Sequence, residues 1–176
     1  YQPIGGASEE VPQFGASMTG YQVIKFVGDV KYDSYNRSEN DMPVFRLGEV
    51  LLNYAEAKAE LGDIAQADLD ISINKLRERV EMPALDLAAA NVNPDPYVAA
   101  QYLQVNGANK GVILEIRRER RIELVMESFP WDDLMRWKEG HLLTKQFKGM
   151  YFPGPGSYDF NNDGNADVQI YTGTKP

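Results

Sequence analysis

The chain has 176 residues and a mass of 19.8 kDa, enough for one domain with a real core, and 43% apolar against 25% charged residues excludes disorder of the whole. Eighteen Lys and Arg against 26 Asp and Glu leave a formal charge of −8, whose average field repels phosphate backbones and anionic lipid, so nucleic acid is not an expected partner. The absence of cysteine and the single His141 exclude disulfides, thiolate zinc sites, cysteine nucleophiles and multi-histidine metal centres, and no apolar run is long enough to span a bilayer.

Residues 1–20 are rich in Gly, Ser and Pro without sustained periodicity and read as an irregular loop segment. Because Tyr1 opens on such a loop, the chain is expected to be the C-terminal portion of a longer protein, with its domain at 21–176. Residues 21–27, YQVIKFV, alternate in the manner of a short strand. Residues 28–43 are polar and turn-rich. Their Asn36-Arg37-Ser38 has the form of a glycosylation sequon, a three-residue match that a plain surface loop also provides.

From Phe45 the period becomes helical: Leu47, Val50, Leu51, Tyr54, Lys58 and Leu61 share one face, and Gly62 stands where a helix C-terminal glycine belongs. A second helix is expected over about 64–80, through Ala65, Leu69, Ile73, Leu76 and Val80, stopping before Pro83. The resulting hairpin resembles a tetratricopeptide repeat in Leu51, Tyr54, Ala55, Gly62, Ala67 and Ile71. No second copy follows, so other helices must cover its apolar face. Residues 82–108, interrupted by Pro83, Pro94 and Pro96, read as loop with one helical turn at 97–103. Helices are expected at about 110–127 and 131–147, the latter introduced by Pro130 with Asp132 and Asp133 in its first turn, where carboxylates favour the positive end of the dipole. Beyond Gly149 the chain is loop, ending in a strand-like 168–171. The expected fold class is mainly α: a tetratricopeptide-like hairpin plus further helices, long irregular loops and a few short strands.

Two constellations could carry chemistry. In ILEIRRERRIELVMESFPWDDLMRW, Glu115, Glu119, Glu123 and Glu127 recur every four residues, a row of like charges that needs cations. Arg118 lies three residues after Glu115, Arg120 three before Glu123, and Arg136 is within reach from the next helix, so a structural ion-pair network is expected, partly buried beside Ile113, Ile116, Leu124 and Val125. The competing reading makes Glu127 with Asp132 or Asp133 a glycosidase acid and base; arginines at this density would hold such carboxylates ionised. Trp131 and Trp137, on different sides of one helix, serve either as core anchors or as sugar-stacking faces.

The second constellation is Asp159-Phe-Asn161-Asn-Asp163-Gly164-Asn165-Ala-Asp167. It matches the first nine positions of a calcium loop, with oxygen side chains at 1, 3 and 5, glycine at 6, a carbonyl at 7 and Asp at 9. Ile170 replaces the bidentate Glu of position 12 and flanking helices are missing, so a metal-free turn held by Asn and Asp side chains stands beside calcium as a reading. Candidate sugar-stacking aromatics in loops are Tyr32, Tyr35, Tyr97 and Tyr102, with Tyr151, Phe152 and Tyr158 further along. The sequence contains no glycine-rich phosphate loop, dinucleotide fingerprint or nucleophile elbow.

The combination FRLGEVLLNYAEA at 45–57, Ile73-Asn74-Lys75-Leu76-Arg77 through Met82-Pro83, IRRERRIEL at 116–124, Glu127, Asp133-Leu134 and Arg136-Trp137 resembles the C-terminal part of the SusD/RagB family of outer-membrane glycan-binding lipoproteins. It spans about residues 20–171. The family's usual Gly-His/Tyr-Arg before the tryptophan helix is Ser128-Phe129-Pro130 here, and DFNNDGNAD is similar to an Asp- and Asn-rich loop at the same place in many relatives. The resemblance implies an α-helical, outward-facing lipoprotein that binds oligosaccharide without turnover and sits as a lid on a SusC-like TonB-dependent transporter. Its contact with the outer membrane would run through a lipidated cysteine that these residues do not contain. Two rivals remain: a helical-repeat protein adaptor, and a glycoside hydrolase.

Overall fold

A computed structural model describes residues 25, 30–32, 35–37, 39, 41, 43–146 and 148–173. The chain divides into two units, Pro43–Lys145 and a second built from Tyr1–Met42 with Gln146–Pro176. Its described residues are mainly α-helical with two short strands. The strand expected at 21–27 lies, apart from Lys25, outside the described residues, as do residues 1–20 and Ser38 of the sequon.

In the unit Pro43–Lys145, helix α1 covers Leu47–Leu61 and ends where expected: Gly62 takes φ 82°, and the Gly62 and Asp63 amides donate to the Ala59 and Lys58 carbonyls, each at 3.2 Å. Its buried face is not the expected one. Leu52, Ala55, Glu56 and Ala59 turn inward while Leu47, Val50 and Leu61 stay largely exposed. The stripe is displaced by one residue because the inward face admits a carboxylate, Glu56, that finds cationic partners there, and small alanines that let neighbouring helices approach.

The single helix expected at 64–80 is two, α2 at Gln66–Asp70 and α3 at Ile73–Arg79. Ser72 breaks it: its φ and ψ of −123° and −97° are not helical, and its hydroxyl donates back to the Asp68 carbonyl, the competition with the backbone that serine offers. Both short helices pack on α1. The segment expected as loop with one helical turn at 97–103 holds two helices, the second overlapping that turn. α4, Leu87–Val92, begins at Asp86, whose carboxylate accepts from the Ala89 amide at 2.7 Å; α5, Pro96–Ala99, begins at Asp95, which accepts from the Tyr97 and Val98 amides. The alanines of 88–90 supply helix propensity that the surrounding prolines obscure.

Helix α6, Lys110–Glu123, is the centre of the unit and packs against α1, α4 and α5. It stops four residues earlier than expected, Met126 and Ser128 adopting left-handed φ of 64° and 66°, so Glu127 leaves the helical row. α7, Phe129–Arg136, carries Pro130 in its first turn and is cut short by Lys138 at φ 60°; a 3₁₀ turn at Gly140–Thr144 follows in place of continued helix. Leu52, Leu69, Ile73, Val112, Leu114, Ile116, Leu124, Tyr102 and Trp137 form the core.

In the other unit a 3₁₀ turn spans Val30–Tyr32, and strands β1, Gly156–Tyr158, and β2, Val168–Ile170, pair antiparallel with Ser157 opposite Gln169. Phe152, Tyr158 and Phe160 group beside this ladder with ring centroids 5.0 to 6.5 Å apart, and the Tyr158 hydroxyl donates to the Gly154 carbonyl at 2.6 Å.

Candidate functional site

The charged residues of α6 are held from three directions. Arg120 is 3% exposed and makes a two-pronged contact with Asp133 of α7, Nε to Oδ2 and Nη2 to Oδ1, both 3.0 Å, while Nη1 donates to Asn53 of α1 at 2.6 Å. This corrects the expected Arg120–Glu123 pair: on the helix, Glu123 faces instead toward Arg46, just before α1, and Arg79 of α3. Arg46 also clamps Glu127, Nε to Oε2 at 2.6 Å and Nη2 to Oε1 at 2.7 Å; this contact raises its pKa above the ordinary guanidinium value. Glu119 and Glu115 both meet Arg77 of α3, and Glu115 is also held by Arg118, which in turn reaches Asp95 at 2.9 Å. Arg136 pairs with Glu56 and Asp133. Burial opposes its charge, but the hydrogen bonds it donates to both carboxylates outweigh that and raise its pKa.

Arg46, Glu56, Arg77 and Asp133 are thus part of the charge network although sequence spacing did not point to them. Arg46, Glu56 and Arg77 lie far along the chain from their partners, whereas Asp133 meets Arg136 only three residues on; the FRLGE…AEA stretch, with charges inside an apolar pattern, hints at the first two. Glu127 and Asp133, offered as acid and base, are both occupied by arginines, and Asp132 lies on the exposed side of α7. Trp137 is buried and donates from its indole N–H to Glu56 Oε1 at 2.6 Å, whereas Trp131 is exposed.

The four tyrosines fall in two places. Tyr32, beside the Lys31 ammonium at 4.5 Å, and Tyr35 belong to the unit that contains β1 and β2, and Tyr97 and Tyr102 belong to the helical unit. Tyr102 is not the exposed loop aromatic expected. It is 1% exposed, edge-on to Trp137 with centroids 5.8 Å apart, and the Arg117 guanidinium lies over both rings. Arg117 itself reaches the buried Glu139, which also accepts from the Gln104 amide at 3.1 Å. Tyr97, exposed, and Tyr102 line a cleft with Arg118 and Arg121.

Residues 159–167 connect β1 to β2, and the loop holds itself closed through side chain to backbone bonds. Asp159 Oδ2 accepts from the Gly164 amide at 2.8 Å, Asn161 Oδ1 from Asp163 at 3.1 Å, Asp163 Oδ1 from Asn165 at 2.7 Å, and Asp167 Oδ2 from Phe160 at 2.8 Å. The Asn165 amide holds the Asp163 carboxyl below the usual range. Asp159 Oδ1 is shielded and accepts nothing. Among the described residues no three carboxylate or histidine side chains converge as a ligand set, so a cation would have to draw Asp159, Asp163 and Asp167 from these amides.

A helical scaffold whose central charged helix is clasped by arginines and carboxylates of its neighbours carries the IRRERRIEL, Asp133 and Arg136-Trp137 positions quoted above. The sequence profile of the SusD family matches residues 4–175, and the chain belongs to that family. No curated protein and no solved structure matches the chain. Proteins of the SusD family are in general carbohydrate-binding outer-membrane proteins of nutrient uptake rather than enzymes. No described helix here is long and apolar enough to cross a membrane.

Proposed function

We propose that this protein binds oligosaccharide at the outer face of the outer membrane and delivers it to a SusC-like TonB-dependent transporter, held at the surface by a lipid anchor and performing no hydrolysis. The observation that carries this reading is the family match over residues 4–175. The engagement of Glu127 and Asp133 with arginines leaves neither carboxylate free to face a scissile bond, which favours binding over acid–base chemistry.

A glycan array followed by an assay for released sugar tests it. Binding without released sugar is expected; released sugar lost on Glu127→Gln would establish a hydrolase, and no glycan retained at millimolar concentration would leave the adaptor reading in its place. Purification from the outer membrane with the transporter bound is the expected outcome for the partner.

A further inference from the structure

The cleft between α5 and the outer face of α6 has about 270 Å³ of space and is lined by Tyr97, Gln101, Tyr102, Arg118, Arg121 and Ile122. That lies just under the roughly 300 to 1,000 Å³ of pockets for drug-sized ligands, so it suits one sugar ring and not a chain. Three features set its chemistry. Arg117, Arg118 and Arg120 of α6 each meet carboxylates, but Arg121 has no ion pair among the described residues. It donates to Gln101 Oε1 at 3.3 Å and lies beside the Tyr102 hydroxyl. The Tyr102 hydroxyl is sealed from solvent without a hydrogen bond of good geometry, although a phenol can both donate and accept. Tyr97 presents an exposed flat face at the rim.

A guanidinium fork, a phenolic donor and an aromatic face together recognise an anionic group carried on an apolar ring face. The net charge of −8 repels anions at long range, so such recognition has to come from these few groups at contact. We propose that this cleft is a subsite for one anionic sugar unit, a uronate or a sulfated hexose, whose charge meets Arg121 and whose ring lies along Tyr97. Arg121, which lies beside the Tyr102 hydroxyl, turns from Gln101 toward the ligand, and that turn uncovers the hydroxyl to donate to the same anionic group. Burial raises the Tyr102 pKa, with Arg121 and Arg117 pulling it part of the way back, which keeps the phenol protonated and a donor at neutral pH. The proposal rests on the glycan-binding reading and narrows it to a substrate class.

The test is an NMR titration of the ¹⁵N-labelled protein with glucuronate, glucose 6-sulfate and glucose, alongside a panel of neutral oligosaccharides. Saturable shifts at Arg121 and Gln101 with at least one anionic sugar, and none with glucose at the same concentration, are expected; a response to only one of the two identifies the group. Arg121→Gln should weaken that binding at least tenfold with an unchanged melting temperature, and Tyr97→Ala should weaken it for the same sugar. Equal shifts with glucose, or an unaltered isotherm in Arg121→Gln, overturn the proposal. Binding of neutral oligosaccharides without response to either anionic sugar overturns it alone, and no response to any sugar overturns it together with the reading it rests on.

Discussion

Arg120 concentrates the residue-level energetics. Its guanidinium is almost fully buried between Asp133 and Asn53, with Glu56 at 3.4 Å, and removing one partner of such a cluster leaves the others charged and desolvated. Arg120→Ala should lower unfolding stability by about 3 kcal/mol or more. Lys75→Ala, which removes an exposed pair with Glu78, should cost no more than about 1 kcal/mol. Urea unfolding of both variants decides it: equal losses would mean that Arg120 is no keystone. Tyr102 supplies the opposite case. Its hydroxyl is buried beside Arg121 without a hydrogen bond of good geometry, so Tyr102→Phe removes a desolvated group and keeps the ring against Trp137. Stability should be unchanged or raised; a loss above roughly 1 kcal/mol would show that the hydroxyl is bonded after all.

Between elements, α4 approaches α6 closely at Gly111. A Cβ added at Gly111 would be driven into the Ala90 carbonyl and stand 2.8 Å from Asn91 Cα, with backbone on the receiving side and no flexible side chain to yield. Gly111→Ala should therefore cost at least the roughly 1 to 3 kcal/mol typical of overpacking, read as a fall in melting temperature. An unaffected melt would mean that α4 is free to move off α6. The β1–β2 connection gives the metal prediction. Calcium at Asp159, Asn161, Asp163, Asn165 and Asp167 remains our proposal, at the weak extracellular affinity of roughly 10⁻⁴ to 10⁻³ M because no bidentate Glu follows. Calorimetry on the wild type and on Asp163→Ala checks it; no heat at millimolar calcium would assign the loop to its amide-bonded turn alone. How much of this was readable in sequence differs by element. Gly62, the start of α7 at Pro130 and the turn to β2 were legible because each depends on local backbone chemistry. The buried face of α1, the break at Ser72 and helix α4 were not, because tertiary pairing of Glu56, a hydroxyl bonding its own helix and proline-flanked alanines carry no distinctive period. Within the candidate site the same division holds: Arg118–Glu115 is local and was legible, whereas Arg46–Glu127 and Arg136–Glu56 join distant positions.

At the scale of the whole chain, the core residues from Leu52 to Trp137 all lie in Pro43–Lys145. Residues 43–145 expressed alone should unfold cooperatively and retain near-ultraviolet circular dichroism from Trp137 and Tyr102. A broad transition without that signal would mean that the core requires the rest of the chain. The arginine clamps add a consequence in time. Arg46 meets Glu127 across 81 residues and Glu56 meets Arg136 across 80. At about 5 to 20 residues per second of synthesis, α1 waits roughly 4 to 16 s on the ribosome before its charged partners exist. Arg46 finds Glu123 and Glu127 only once α6 and the residues after it are made, and Glu56 finds Arg136 only with the last turn of α7, so a nascent chain halted before α6 carries both charges without these partners.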